Sequence, residues 1–286
     1  YHSYEEIEAW LKKLAARYPD LVRLVSIGKS VEGRPIWVLK ISNGPGRDGK
    51  PAVWIDAGIH AREWIGPATA LYLINQLLEN YGSDPRVTKL LDKTDWYIVP
   101  VLNPDGYEYT HTSDRLWRKN RSPNSGSNCR GVDLNRNFPF HWGETGASSN
   151  PCSETYAGPS PFSEPETKAV RDFLRSNRKI KLYIDLHSYS QLILYPYGYT
   201  KNDLPPNVED LPEVAKALAD ALASVHGGTR YTYGISNGAL YPASGGSDDW
   251  AYGTLGVPFS YTLELRDKGR YGFLLPPSQI IPTGWE

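Results

Sequence analysis

The segment Asp56-Ala57-Gly58-Ile59-His60-Ala61-Arg62-Glu63-Trp64 joins two kinds of residue pattern. Residues 51–57 form a run of apolar and β-type side chains, which predicts a buried strand. Gly58 ends that run, and a helical pattern begins near Trp64 and continues toward Asn80. His60 and Glu63 therefore fall where a central strand gives way to a helix. In open α/β sheets, ligands bind in the crevice at the carboxyl ends of the strands. An imidazole and a carboxylate three residues apart in such a turn can converge on one cation. They can equally be a surface His and a solvated Glu, because His-x-x-Glu alone is a weak motif.

Elsewhere in the chain, residues 4–18 predict an amphipathic helix, and residues 21–27 and 36–42 predict strands joined by a turn at 32–35. A Gly/Pro-rich loop covers 43–50. A short helix is expected near 84–91. A β-rich run at 95–103 is expected to stop at the turn-like Asn103-Pro104-Asp105-Gly106. From 107 to 163 there is little periodicity, and irregular chain of that length inside a domain is usually functional. A helix at 164–178, strands at 181–186 and 191–195 and a helix at 211–226 follow. A loop at 228–247, a helix near Ser247 and a strand at 259–265 complete the pattern. Strands alternating with helices predict one α/β domain spanning 1–286, with a mixed, twisted central sheet of about eight strands and helices on both faces.

Three apolar strand runs end in or near ionisable groups: His60/Glu63, His187 and Glu264. Buried charge is costly unless paired or metal-bound, so three such ends suggest one shared site. Zinc takes nitrogen and oxygen ligands, and a catalytic zinc keeps one position open.

Composition narrows the class. In 286 residues, 40% are hydrophobic and 22% charged, as in a soluble globular protein. A net charge of −1 gives no electrostatic case for nucleic acid or an anionic membrane. No apolar run of about 20 residues suggests a membrane span. Cys129 and Cys152 lie in Gly/Ser/Asn-rich chain; they are either two free thiols or a disulfide closing a loop, which would indicate an oxidising compartment.

The chain resembles the zinc metallocarboxypeptidases of the digestive A/B type, over nearly its whole length. The resemblance is carried by His60-Ala61-Arg62-Glu63-Trp64, Leu116-Trp117-Arg118-Lys119-Asn120-Arg121-Ser122, Gly131-Val132-Asp133-Leu134-Asn135-Arg136-Asn137 and Tyr183-Ile184-Asp185-Leu186-His187-Ser188-Tyr189-Ser190. Ala243-Ser244-Gly245-Gly246-Ser247-Asp248-Asp249-Trp250 and Glu264-Leu265-Arg266-Asp267 complete it.

It implies a secreted, monomeric exopeptidase acting on peptide and protein C-termini, with proteinaceous carboxypeptidase inhibitors as further partners. His60, Glu63 and His187 would hold one zinc ion, and Asp133 would orient His60. Glu264 would be the general base, although a Glu before Arg266 can also be a salt-bridge partner. Arg118 would stabilise the oxyanion, with Trp117 beside it as packing. Asn135 and Arg136 would clamp the terminal carboxylate, which a guanidinium matches in bidentate geometry. Tyr241 would close over the bound terminus, and Arg62 and Arg115 would line outer subsites.

Asp248 stands where B-type relatives carry the acid that pairs with substrate Lys or Arg, whereas A-type relatives are apolar there. Asp248 and Asp249 can also simply favour a helix N-terminus. Gly198 and Ser236 would leave room for a long side chain. The alternatives are A-type preference and a catalytically inactive binding relative. Cys129 and Cys152 match the family's disulfide. His2, His111, His141 and His226 match no site motif and are expected to be surface or structural.

Two further expectations come from the resemblance. Starting at Tyr1 without a propeptide, the chain resembles a matured enzyme. Ending at Glu286, it would lack the family's final helix.

Overall fold

The computed structural model describes residues 1–286 except 45–48, 178 and 226–228. His226, the end of the predicted helix 164–178 and part of the loop 43–50 lie outside the described residues.

In chain order the helices are α1 (Tyr4–Arg17), α2 (Ile65–Asn80), α3 (Pro85–Lys93), α4 (Pro104–Thr112), α5 (Pro165–Ser176), α6 (Asp210–Ala223), α7 (Ser236–Ala239), α8 (Ser247–Gly253) and α9 (Ile280–Trp285). The strands are β1 (Val22–Lys29), β2 (Pro35–Ile41), β3 (Ala52–Ala57), β4 (Asp95–Val99), β5 (Ile180–Ser188), β6 (Leu192–Tyr195), β7 (Thr232–Ile235) and β8 (Phe259–Leu265). They form one mixed sheet in the order β1-β2-β4-β3-β5-β8-β6-β7.

The central strands β4, β3, β5 and β8 run parallel. The carboxyl ends of β3, β5 and β8 therefore reach the same edge, with His187 level with Glu264. Strand periodicity sorts the side chains. Val53, Ile55, Ile184 and Leu186 face a core shared with α1 and α2, while Trp54, Tyr183 and Trp250 belong to the core on the other face. Asp56, Asp185 and His187 point to that second face, because each lies an even number of positions from Trp54 or Tyr183 on its own strand.

Two glycines bring the ends together. Gly58 has φ +68°, so it turns the chain out of β3 at no steric cost. At Gly66 a Cβ would lie 2.9 Å from the carbonyl oxygen of Leu186, so only glycine lets the first turn of α2 sit this close to β5.

Most predicted elements are present, with four differences, the first being that β4 stops at Val99, short of the predicted end at 103. The Asn103-Pro104-Asp105-Gly106 stretch starts α4 rather than a turn. Asn103 accepts a hydrogen bond from the Gly106 N–H, and Pro104 occupies the first helical position, where its missing N–H costs nothing. The predicted loop 228–247 contains β7 and α7; β7 is a four-residue, half-exposed edge strand, too short to show a period. β5 runs on through His187 to Ser188. At the end of the described chain, Gly284 and Trp285 of α9 pack on Tyr72 of α2.

Candidate active site

His60 and Glu63 lie in the turn between β3 and α2, and His187 near the end of β5; all three are buried. His60 Nδ1 is 3.0 Å from Glu63 Oε1, His187 Nδ1 is 3.0 Å from Glu63 Oε2, and the two Nδ1 atoms are 3.1 Å apart. Their ligand atoms all fall within 4.8 Å of one another. Each ring turns its other nitrogen to a carboxylate: His60 Nε2 to Asp133 Oδ1 at 3.0 Å, and His187 Nε2 to Asp185 Oδ2 at 2.7 Å. A neutral imidazole that donates from Nε2 keeps Nδ1 as an acceptor. Two such acceptors and a carboxylate facing one point repel one another unless a cation lies among them. Two imidazole nitrogens and one carboxylate oxygen fit zinc.

Asp133 also accepts from Nε and Nη2 of Arg118 through Oδ2, at 3.1 and 2.9 Å. Burial alone would raise the Asp133 carboxyl, but Arg118, then His60, hold it well below the usual carboxylate range. Burial would likewise lower the Arg118 guanidinium, and Asp133 and Glu63 more than reverse that. Against its own desolvation, the buried Glu63 carboxyl is kept low by His60 and His187. Glu264 behaves oppositely: burial pushes it up to about 8. Arg266 pairs with Glu286 and bonds Gln279 and Thr229, so it is not the salt-bridge partner of Glu264.

His60, Glu63, Arg118, His187 and Glu264 line a cavity of about 270 Å³, together with Arg62, Asn135, Arg136, Gly198, Ser236, Tyr241, Asp248 and Thr262. The Nε and Nη1 of Arg136 donate to the carbonyls of Gly146 and Asn135, which fixes its guanidinium plane. Asn135 Oδ1 accepts the Ser247 N–H at 2.8 Å, and its Nδ2 lies 3.2 Å from His187 Nε2. Tyr241 is half exposed at the rim. Asp248 and Asp249, adjacent at the start of α8, part company. Asp248 lines the cavity, and burial raises its carboxyl. Asp249 accepts the N–H groups of Gly198 and Tyr199 and shapes the wall from behind.

Arg115 is the predicted residue that the structure uses elsewhere. Its guanidinium stacks on Trp64 at 3.7 Å and donates to the carbonyls of Arg62 and Phe273, so it supports the wall and is not among the cavity residues. His111 also stacks on Trp64, at 4.1 Å. His141 stacks on Tyr199, and His2 is exposed near Glu6. Cys129 and Cys152 form a disulfide across 23 positions.

Sequence reasoning misses Asp185. The signal is present: two residues before His187 on a strand, it has to share that residue's face. It also misses Asp56, the lateral partner of Asp185 across β3 and β5. Burial, and then Asp185, raise Asp56 far above the ordinary carboxylate range, and Trp54 Nε1 donates to it.

Residues 7–286 match the family model described as zinc carboxypeptidase, so the chain belongs to that family. It is a metallocarboxypeptidase, a zinc exopeptidase of single-domain α/β architecture. It is 53% identical to carboxypeptidase B of Astacus astacus, over all of this chain and 93% of that protein. It is 52% identical to carboxypeptidase A2 of Mus musculus, over all of this chain and 67% of that protein. Its fold superposes with a TM-score of 0.93, at 50% identity, on bovine thrombin-activatable fibrinolysis inhibitor solved with tick carboxypeptidase inhibitor; the match covers 99% of this chain and 92% of that one. Among the described residues no helix is long and apolar enough to cross a membrane.

Proposed function

We propose that residues 1–286 are a catalytic domain that removes C-terminal Lys and Arg, holding one zinc ion per chain on His60, Glu63 and His187. The observation that carries the basic preference is the Asp248 carboxyl, buried on the wall of a cavity that the small Gly198 and Ser236 also line. A desolvated carboxylate at that position pairs with a guanidinium or ammonium and leaves an apolar side chain facing an unpaired acid.

When bound, zinc would polarise the scissile carbonyl and acidify water at the site. Glu264 takes the proton of the attacking water and passes it to the leaving amine nitrogen. Arg118, aimed by Asp133, donates hydrogen bonds to the oxygen that becomes anionic. Arg136, with Asn135, binds the substrate's terminal carboxylate, which restricts cleavage to the last peptide bond. Tyr241 closes over that terminus from its exposed loop. Arg62 lines the outer part of the cleft.

The disulfide supports secretion into an oxidising compartment. The inhibitor-bound relative supports proteinaceous carboxypeptidase inhibitors as partners. The test is cleavage of matched peptides ending in Arg, Lys, Phe, Leu or Glu, with and without a chelator. Release of Arg and Lys that the chelator abolishes is expected. Preference for Phe or Leu overturns the specificity, and chelator-resistant release overturns the zinc role.

A further inference from the structure

The carboxylate behind His187 has no part in the reaction above, yet its placement is tightly constrained. Asp185 is fully buried, and its Oδ2 lies 2.7 Å from His187 Nε2. The same oxygen accepts the Ser247 hydroxyl at 2.9 Å, so the first turn of α8 braces it. On the far side of the site Asp133 holds His60 Nε2 at 3.0 Å in the same sense. We infer that Asp185 is a positioning residue for His187, fixing the ring so that Nδ1 faces the cation. This rests on the reading that His60, Glu63 and His187 hold zinc.

A second group competes for the same nitrogen. Asn135 Nδ2 lies 3.2 Å from His187 Nε2. The orientation of that amide is set, because its Oδ1 accepts the Ser247 N–H. An amide NH2 can only donate, and a donor at Nε2 favours the tautomer that carries its proton on Nδ1. That tautomer cannot ligate through Nδ1. Asp185, an acceptor, selects the opposite one and outweighs Asn135. Removing it would leave the Asn135 amide acting on Nε2 unopposed, and would also free the ring's two-fold torsion. Carboxylates that orient a ligating His typically change metal affinity by about 10–100-fold.

The experiment measures zinc affinity by competition with a chelating dye, for the wild type and for Asp185→Ala, Asp185→Asn, Asp56→Asn and His187→Ala. Near-UV circular dichroism of each metal-free protein checks folding. Visible spectra of the cobalt-substituted proteins report ligand geometry. Asp185→Ala should weaken zinc by about 10–100-fold and shift the cobalt bands. Asp185→Asn keeps an acceptor and should recover part of that loss, and it carries the test if the alanine variant does not fold. Asp56→Asn, one strand away, should stay within about threefold of wild type, well below that range.

Wild-type affinity and spectrum in the folded Asp185 variants overturn the proposal. So do equal losses in Asp185→Asn and Asp56→Asn, which would assign the effect to packing of the buried pair. If the wild type binds no zinc, or His187→Ala binds as tightly as wild type, the ligand reading itself fails instead.

Discussion

Replacing Asp248 with alanine tests the proposed specificity pocket most directly. The residue is 8% exposed and lines a cavity of about 270 Å³, so a substrate guanidinium reaching it leaves water almost entirely. Removing one partner of such a buried pair costs about 3–5 kcal/mol. Part of that is already offset in the free enzyme, because burial disfavours the charged form of the Asp248 carboxyl there as well. A net loss of about 3 kcal/mol corresponds to roughly 100-fold in kcat/KM for a substrate ending in Arg. A substrate ending in Phe gains nothing from the acid and should hold its rate or improve. The assay compares initial rates on two acyl-dipeptides that differ only in the last residue. A fall of less than about threefold with Arg, far below the roughly 100-fold expected for a desolvated pair, would refute the reasoning.

Glu264→Gln should retain zinc while kcat falls by about 10²–10⁴, the usual contribution of a general base; near-wild-type turnover would remove Glu264 from that role. Replacing Cys129 and Cys152 together with alanine should lower unfolding free energy by about 3 kcal/mol, as chain entropy predicts for a loop of this size, and an unchanged urea midpoint would contradict it. Glu166, fully buried and outside the cavity lining, is pushed up to about 7 by desolvation. Because its folded pKa lies above the unfolded one, its stabilising effect is complete below about pH 4.5 and fades as pH rises through about 7. The loss approaches about 3 kcal/mol, and Glu166→Gln should flatten this decline in urea unfolding measured from about pH 4.5 to 8. Parallel curves for the two proteins would show that Glu166 causes no such pH dependence.

The alternation of strands and helices is legible in the sequence because residues 51–57, 64–80 and 259–265 bury whole faces, and burial imposes a period. The triad of His60, Glu63 and His187 is legible because an ionisable group at the end of an apolar strand has to be paired or metal-bound once it is buried. What escapes has local reasons. Asn103-Pro104 serves turns and helix starts equally well, and only the Gly106 N–H aimed at Asn103 distinguishes them. Thr232–Ile235 makes a strand by adding to an existing edge, which its own residues do not announce. Arg115 sits in a loop among the family's motifs, and nothing in its neighbours reveals that Trp64 stacks beneath it. Asp56 and Asp185 are acids inside apolar strands far apart in the chain, a pairing that only the β3–β5 register creates.

The parallel arrangement of β3, β5 and β8 also governs when the site comes into being. Glu63 and His187 meet across 124 positions, and Glu264 joins them only through the register of the last strand. A fragment that ends before β5 holds His60 and Glu63 but lacks His187, and one that ends before β8 lacks Glu264, the proposed base. On the proposed ligand set, the emerging chain is therefore incapable of proteolysis until the sheet's middle has closed, and zinc uptake would report that closure. A cell making this hydrolase gains a safeguard from topology alone: competence arrives last, with the finished fold.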